Sequence, residues 1–75
     1  MAAVDDEFKR RFGQRLRELR QARGLSQEKL AEQADLSVTY VSSLERGRYN
    51  PSLRNLMKLA RALGCRVEDL TPAGE

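Results

Sequence analysis

Histidine and tryptophan are missing from this chain, and cysteine occurs once, as Cys65. One cysteine excludes a disulfide framework within the chain, and the lack of histidine excludes a Cys/His zinc site. No nucleophile–base pair and no glycine-rich phosphate loop are present either, so neither an enzyme, a metal nor a cofactor is expected. No apolar run approaches the length of a membrane span. The opening residues, MAAVDDEF, lack the basic and apolar regions of a signal peptide, and a cytoplasmic location without a membrane partner is the expectation. At 75 residues the chain is one small domain with a marginal core, for which self-association is a common remedy.

The net charge of +3 is mild, but its distribution is uneven. Residues 5–7 are all acidic, whereas Arg46, Arg48, Arg54, Lys58, Arg61 and Arg66 span a stretch with no carboxylate. Such a basic half is either a solvated helix surface or the footprint of a polyanion partner.

The most informative stretch is Ser26 to Gly47, SQEKLAEQADLSVTYVSSLERG. Ser26 is an N-cap and Leu25 can staple to Leu30; eleven residues on, Ser37 is a second N-cap and Leu36 can staple to Val41. Two short helices joined by a tight corner follow, with Gly47 closing the second. At 100° per residue, Val41 and Leu44 face a core, while Thr39, Ser42, Ser43 and Arg46 fall opposite and Val38, Tyr40 and Glu45 flank them. An ordinary solvent face would carry more Glu and Lys. Small hydroxylated side chains let a helix approach another molecule closely, as in the major groove of DNA.

These residues resemble the helix-turn-helix of the phage-repressor and Cro-like (XRE) family. The shared features are Gln27 at the start of the first helix, Ala31 at the crossing, Val41 and Leu44 in the core, and Glu45-Arg46-Gly47 at the end. TYVSSLERGRYNPS resembles in particular the controller proteins of restriction–modification systems. The likeness spans roughly residues 10 to 70 and implies a compact all-α domain of five helices, with residues 1–4 an N-terminal arm and 71–75 a tail. One departure lies in the corner, where Asp35 stands in place of the family's usual glycine; aspartate visits the left-handed region more readily than most residues. The resemblance further implies that Arg20 pairs with Glu45, tying the first helix to the recognition helix.

The remaining elements follow from periodicity and caps. The first helix is expected from Asp6 to Arg23, with Phe8, Phe12, Leu16 and Leu19 as its apolar stripe and Gly24 as its stop. Arg48 to Ser52 reads as a loop. Ser52 then caps a fourth helix, Leu53 to Leu63, with Leu53, Leu56, Ala60 and Leu63 inward and Met57 or Leu59 flanking. Gly64 ends it, Cys65 packs as an inert thiol, and Val67 to Leu70 form a last short helix.

On this reading the N-terminal end of the recognition helix enters the major groove. Val38, Thr39, Tyr40, Ser42 and Ser43 are expected at base edges. Ser26, Gln27, Arg46, Arg48, Asn50, Ser52 and Asn55 are expected at phosphates, helped by the free N–H groups of the fourth helix. Val38 stands where the family often has a polar residue bracing Gln27, so few strong base contacts are expected and DNA shape carries more of the specificity. The partners implied are a double-stranded DNA operator and a second copy of the chain, meeting through Leu63, Val67 and Leu70 with Leu59 or Met57 nearby. RNA polymerase is a further candidate through the acidic face of Glu28 and Glu32. An antitoxin or a protein-interaction module built on the same domain are the alternatives; the former usually carries an additional segment, and the latter would show a more acidic or apolar recognition face.

Overall fold

The computed structural model describes residues 2–72, with side chains from residue 6 onward. It contains α1 (Ala2–Ala22), α2 (Gln27–Ala34), α3 (Val38–Glu45), α4 (Leu53–Leu63) and α5 (Val67–Leu70), with no strand among the described residues. α1 begins four residues before Asp6, so residues 2–4 are helical and not an arm. Alanine is the strongest helix former, and the Asp6 and Glu7 carboxylates sit near the positive end of the helix dipole. Both also bridge to the next turn, Asp6 to Lys9 at 3.8 Å and Glu7 to Arg10 at 2.7 Å. The expected tail is described only as far as Pro72, and the remainder, like Met1, lies outside the described residues.

Short-range chemistry sets the helix boundaries. Ser26, Ser37 and Ser52 each accept a hydrogen bond from the backbone N–H three residues on, at 3.0, 3.1 and 3.1 Å. α1 to α4 all end in the paired backbone bonds of a Schellman turn, centred on Gly24, Asp35, Gly47 and Gly64. Asp35 adopts φ 59°, ψ 48°, the left-handed conformation that glycine would take without steric cost. The residue after each turn then decides where the chain goes. Leu25, Leu36 and Cys65 pack back against the core, whereas Arg48 after α3 is exposed.

The core is built from Phe12 and Leu16 of α1, Leu30, Ala31 and Ala34 of α2, Val41 and Leu44 of α3, Leu59, Ala60 and Leu63 of α4, and Leu70 of α5. Each large side chain in it contributes roughly 1.5–3 kcal/mol relative to exposure. Phe12 is fully buried, and Phe8 stacks on it with ring centroids 6.4 Å apart while remaining 39% exposed.

The inward face of α4 differs from the expected one. Leu56, Leu59, Ala60 and Leu63 form it, so Leu59 is core and not a flank. Leu53 lies about 70° from the centre of that stripe, in the first turn, and is 69% exposed. Leu63 and Leu70 are also corrected. At 2% and 0% exposure they complete the core of a single chain and have no area left for a partner. A five-helix fold this small needs both to close its interior, which the sequence pattern does not distinguish from a shared surface. Val67 is half-buried and Met57 is exposed. Burial raises the Cys65 thiol above its usual pKa, the Asp69 carboxylate adds to the rise, and Arg23 and Arg15 oppose it.

Candidate nucleic-acid interface

α3 is a poor helix by composition, since valine, threonine, tyrosine and serine fill six of its eight positions. It is stabilised from outside. Gly13 of α1 lies so close to its C-terminal end that a Cβ there would stand 2.5 Å from the Leu44 carbonyl oxygen and 2.7 Å from that of Glu45. Gly47 is similarly confined, with a would-be Cβ 3.2 Å from the Arg10 Cα. The two backbones therefore meet directly.

Side chains then fix the orientation. Arg20 donates from Nε to Glu45 Oε2 at 2.6 Å and from Nη2 to Oε1 at 3.1 Å, a bidentate pair. Its remaining arm donates to the Leu25 carbonyl at 2.8 Å. Gln27 Nε2 donates to Glu45 Oε1 at 2.9 Å. One carboxylate, 4% exposed, thus joins the end of α1, the start of α2 and the end of α3. The brace that Gln27 gives the recognition helix goes to Glu45 and not to residue 38. With one amide hydrogen engaged there, Gln27 retains its second Nε2 hydrogen to donate to a phosphate.

Of the residues expected at base edges, Val38 and Thr39 are exposed, with Val38 at 40%. Ser42 and Ser43 are half-buried along the same outward side. Tyr40 is half-buried against the core, and its phenol oxygen accepts a bond from Asn55 Nδ2 at 3.0 Å. Of the residues expected at phosphates, Arg46, Arg48, Asn50 and Ser52 are exposed. Ser26 and Ser52 use their oxygens as caps and keep a hydroxyl proton to donate. Among the described residues no ion pair engages Arg46 or Arg48 after α3, while Arg54 and Arg61 line a surface hollow with Asp35, Met57 and Lys58. Lys58 differs, reaching the Asp35 carbonyl at 3.5 Å and its carboxylate at 4.0 Å.

One contributor and one exposed ring escaped the reading of the sequence. Gly13 carried no signal beyond being a glycine inside a helix. Tyr49, 55% exposed between Arg48 and Asn50, is an aromatic ring in an otherwise polar loop.

A short helix with a hydroxylated outer face, braced from behind and followed by unpaired cations, defines a DNA-binding helix-turn-helix domain. Comparison with known proteins agrees. The helix-turn-helix family model (HTH_3) matches residues 16–70, and the chain belongs to that family. It is 56% identical over 57 residues to the HTH-type transcriptional regulator DdrOP3 of Deinococcus deserti, covering 76% of this chain but 44% of that protein. The chain thus spans less than half the length of that regulator. It is 48% identical over 60 residues to the control protein C.BamHI of Bacillus amyloliquefaciens, covering 79% of this chain and 74% of that one. The crystal structure of the restriction-modification controller protein C.AhdI from Aeromonas hydrophila matches with a TM-score of 0.81 at 53% identity, over 83% of this chain and 94% of that one. Among the described residues no helix is long and apolar enough to cross a membrane.

Proposed function

We propose that this chain is a sequence-specific, double-stranded-DNA-binding transcription regulator, acting in the cytoplasm as a homodimer on a pseudo-palindromic operator and controlling its own gene. The observation that carries the reading is the pairing of α3's outward face with the unpaired cations that follow it. Thr39, with Val38 beside it, offers a hydroxyl and methyl groups to base edges, and Ser42 and Ser43 offer hydroxyls one turn on. Arg46 and Arg48 hold the backbone from the end of α3, while Gln27, Asn50 and the first turn of α4 from Ser52 hold it from the flanks. Controller proteins among the relatives support autoregulation.

With Val38 at the first position of α3, no long charged side chain projects from that end into the groove. Operator shape and deformability then supply a larger part of the discrimination. A single domain makes a small interface, so two copies on half-sites roughly 34–36 Å apart supply the affinity. Of the residues expected at the contact between copies, Val67 and Met57 retain exposed area.

The test is a mobility shift on DNA upstream of its own gene at two salt concentrations, with Thr39→Ala and Arg46→Ala beside the wild type. Specific, salt-sensitive binding is expected, with Thr39→Ala losing discrimination and Arg46→Ala weakening every duplex alike. Binding no tighter than to random duplex overturns autoregulation, and failure to select any sequence from a randomised library overturns DNA reading altogether.

A further inference from the structure

The first turns of α3 and α4 share one construction. Ser37 caps α3 through the Tyr40 N–H, and Ser52 caps α4 through the Asn55 N–H. The two capped residues are themselves joined, Asn55 Nδ2 donating to the Tyr40 phenol oxygen at 3.0 Å. Residues fifteen apart in sequence are thereby fastened at the third position of each helix. Tyr40 is also packed against the core, so its ring is held on one side by apolar contact and at its tip by an amide. A phenol that accepts from Asn55 still has one proton, and no group among the described residues accepts it.

We propose that Asn55 is a positioning residue for operator reading. It fixes the Tyr40 hydroxyl as a donor, and one acceptor on the DNA takes that proton. The inference rests on the DNA-reading function proposed above and adds a residue that acts through another. The acceptor is a purine N7 at a base edge or a phosphate oxygen, which share the chemistry of a lone pair facing a donor. Tyrosine is neutral, so its contact releases no counterion and leaves the salt dependence of binding untouched.

The experiment uses a duplex that the wild-type protein selects from a randomised library. Affinities of wild type, Tyr40→Phe, Asn55→Ala and the double variant are measured on it and on random duplex at several salt concentrations, with thermal melts alongside. Tyr40→Phe is expected to lose about fivefold on the selected duplex at an unchanged salt slope. Asn55→Ala is expected to lose a similar factor, and the double variant no more than either alone. 7-Deazapurines and methylphosphonates are then placed singly along the site. The one substitution that weakens wild type but not Tyr40→Phe identifies the acceptor as base or phosphate. Additive losses, an Asn55→Ala variant that binds like wild type, or modifications that affect wild type and Tyr40→Phe alike would each overturn the proposal. If Asn55→Ala lowers only the melting temperature, its role is structural and the proposal also falls. A wild type that discriminates while Tyr40→Phe equals it defeats this inference alone. A wild type that selects nothing defeats it together with the proposed function.

Discussion

Substituting Glu45→Gln tests the brace behind α3. The carboxylate accepts three N–H donors, from Arg20 at 2.6 and 3.1 Å and from Gln27 at 2.9 Å. Arg20 and Glu45 side chains are 11% and 4% exposed, so water replaces little of what is lost. Glutamine keeps one oxygen but turns an NH2 group toward a guanidinium. Hydrogen bonds to charged groups contribute about 1.5–3 kcal/mol each, and losing one partner of a buried pair costs about 3–5 kcal/mol. With one acceptor retained, a loss of about 3 kcal/mol is expected. A domain of this length has a total stability of about 4–11 kcal/mol, so Glu45→Gln removes a large share. In a thermal melt followed by far-UV circular dichroism, the midpoint should fall by about 12–24 °C. Glu32→Gln is the control, because the Lys29–Glu32 pair is 56% and 74% exposed; it should cost under about 0.5 kcal/mol. The double change Arg20→Met with Glu45→Leu leaves no buried charge and should recover most of the loss. A Glu45→Gln cost below about 1 kcal/mol, or a double variant worse than the single one, would refute this account of the pair.

Gly13→Ala, which would strengthen an ordinary helix, should destabilise by at least about 2 kcal/mol, because the new methyl meets backbone oxygens that cannot rotate away; urea titration checks this. Asp35→Gly should exceed Asp35→Ala in stability by about 1 kcal/mol, since the residue sits at φ 59° and its loose contact with Lys58 adds little. Leu63→Ala should lower stability by about 2–5 kcal/mol at every protein concentration, as a core cavity does and as a lost dimer contact does not. Cys65 should react with a maleimide more slowly than a small free thiol at neutral pH, because burial first, and Asp69 second, hold its proton. Its raised pKa means that the folded chain keeps the proton more tightly than the unfolded one. That contribution is therefore complete below the ordinary thiol pKa and is lost as pH rises through the higher, folded value.

The local devices were legible in the sequence. Ser26, Ser37 and Ser52 as caps, and Gly24, Asp35, Gly47 and Gly64 as stops, depend on a few neighbouring residues and so leave a pattern in the chain. The outward set of α3 was legible for the same reason, since 100° steps over eight residues leave little freedom. What failed depended on where other segments lie. Leu53 and Leu59 exchanged roles because periodicity places a stripe on α4 but cannot say which edge meets α2. Leu63 and Leu70 could have lined either an interior or a surface shared between copies, and only the closure of all five helices assigns them to the interior. Gly13 has its meaning from carbonyls more than thirty residues away. The site residues were named from type and register, but the Tyr40–Asn55 bond and the use of Glu45 by Gln27 are tertiary facts with no local trace.

The brace has a consequence for how such a regulator changes its target. α3 is kept helical by Ser37 at one end, by Gly13 and Glu45 at the other, and by Val41 and Leu44 beneath. Val38, Thr39, Ser42 and Ser43 carry almost none of that support. Mutations there are free to rewrite the preferred sequence while the melting temperature stays nearly constant. The scaffold can therefore be inherited intact as a lineage drifts from one recognition site to the next, and a library randomised at those four positions should yield mostly folded members.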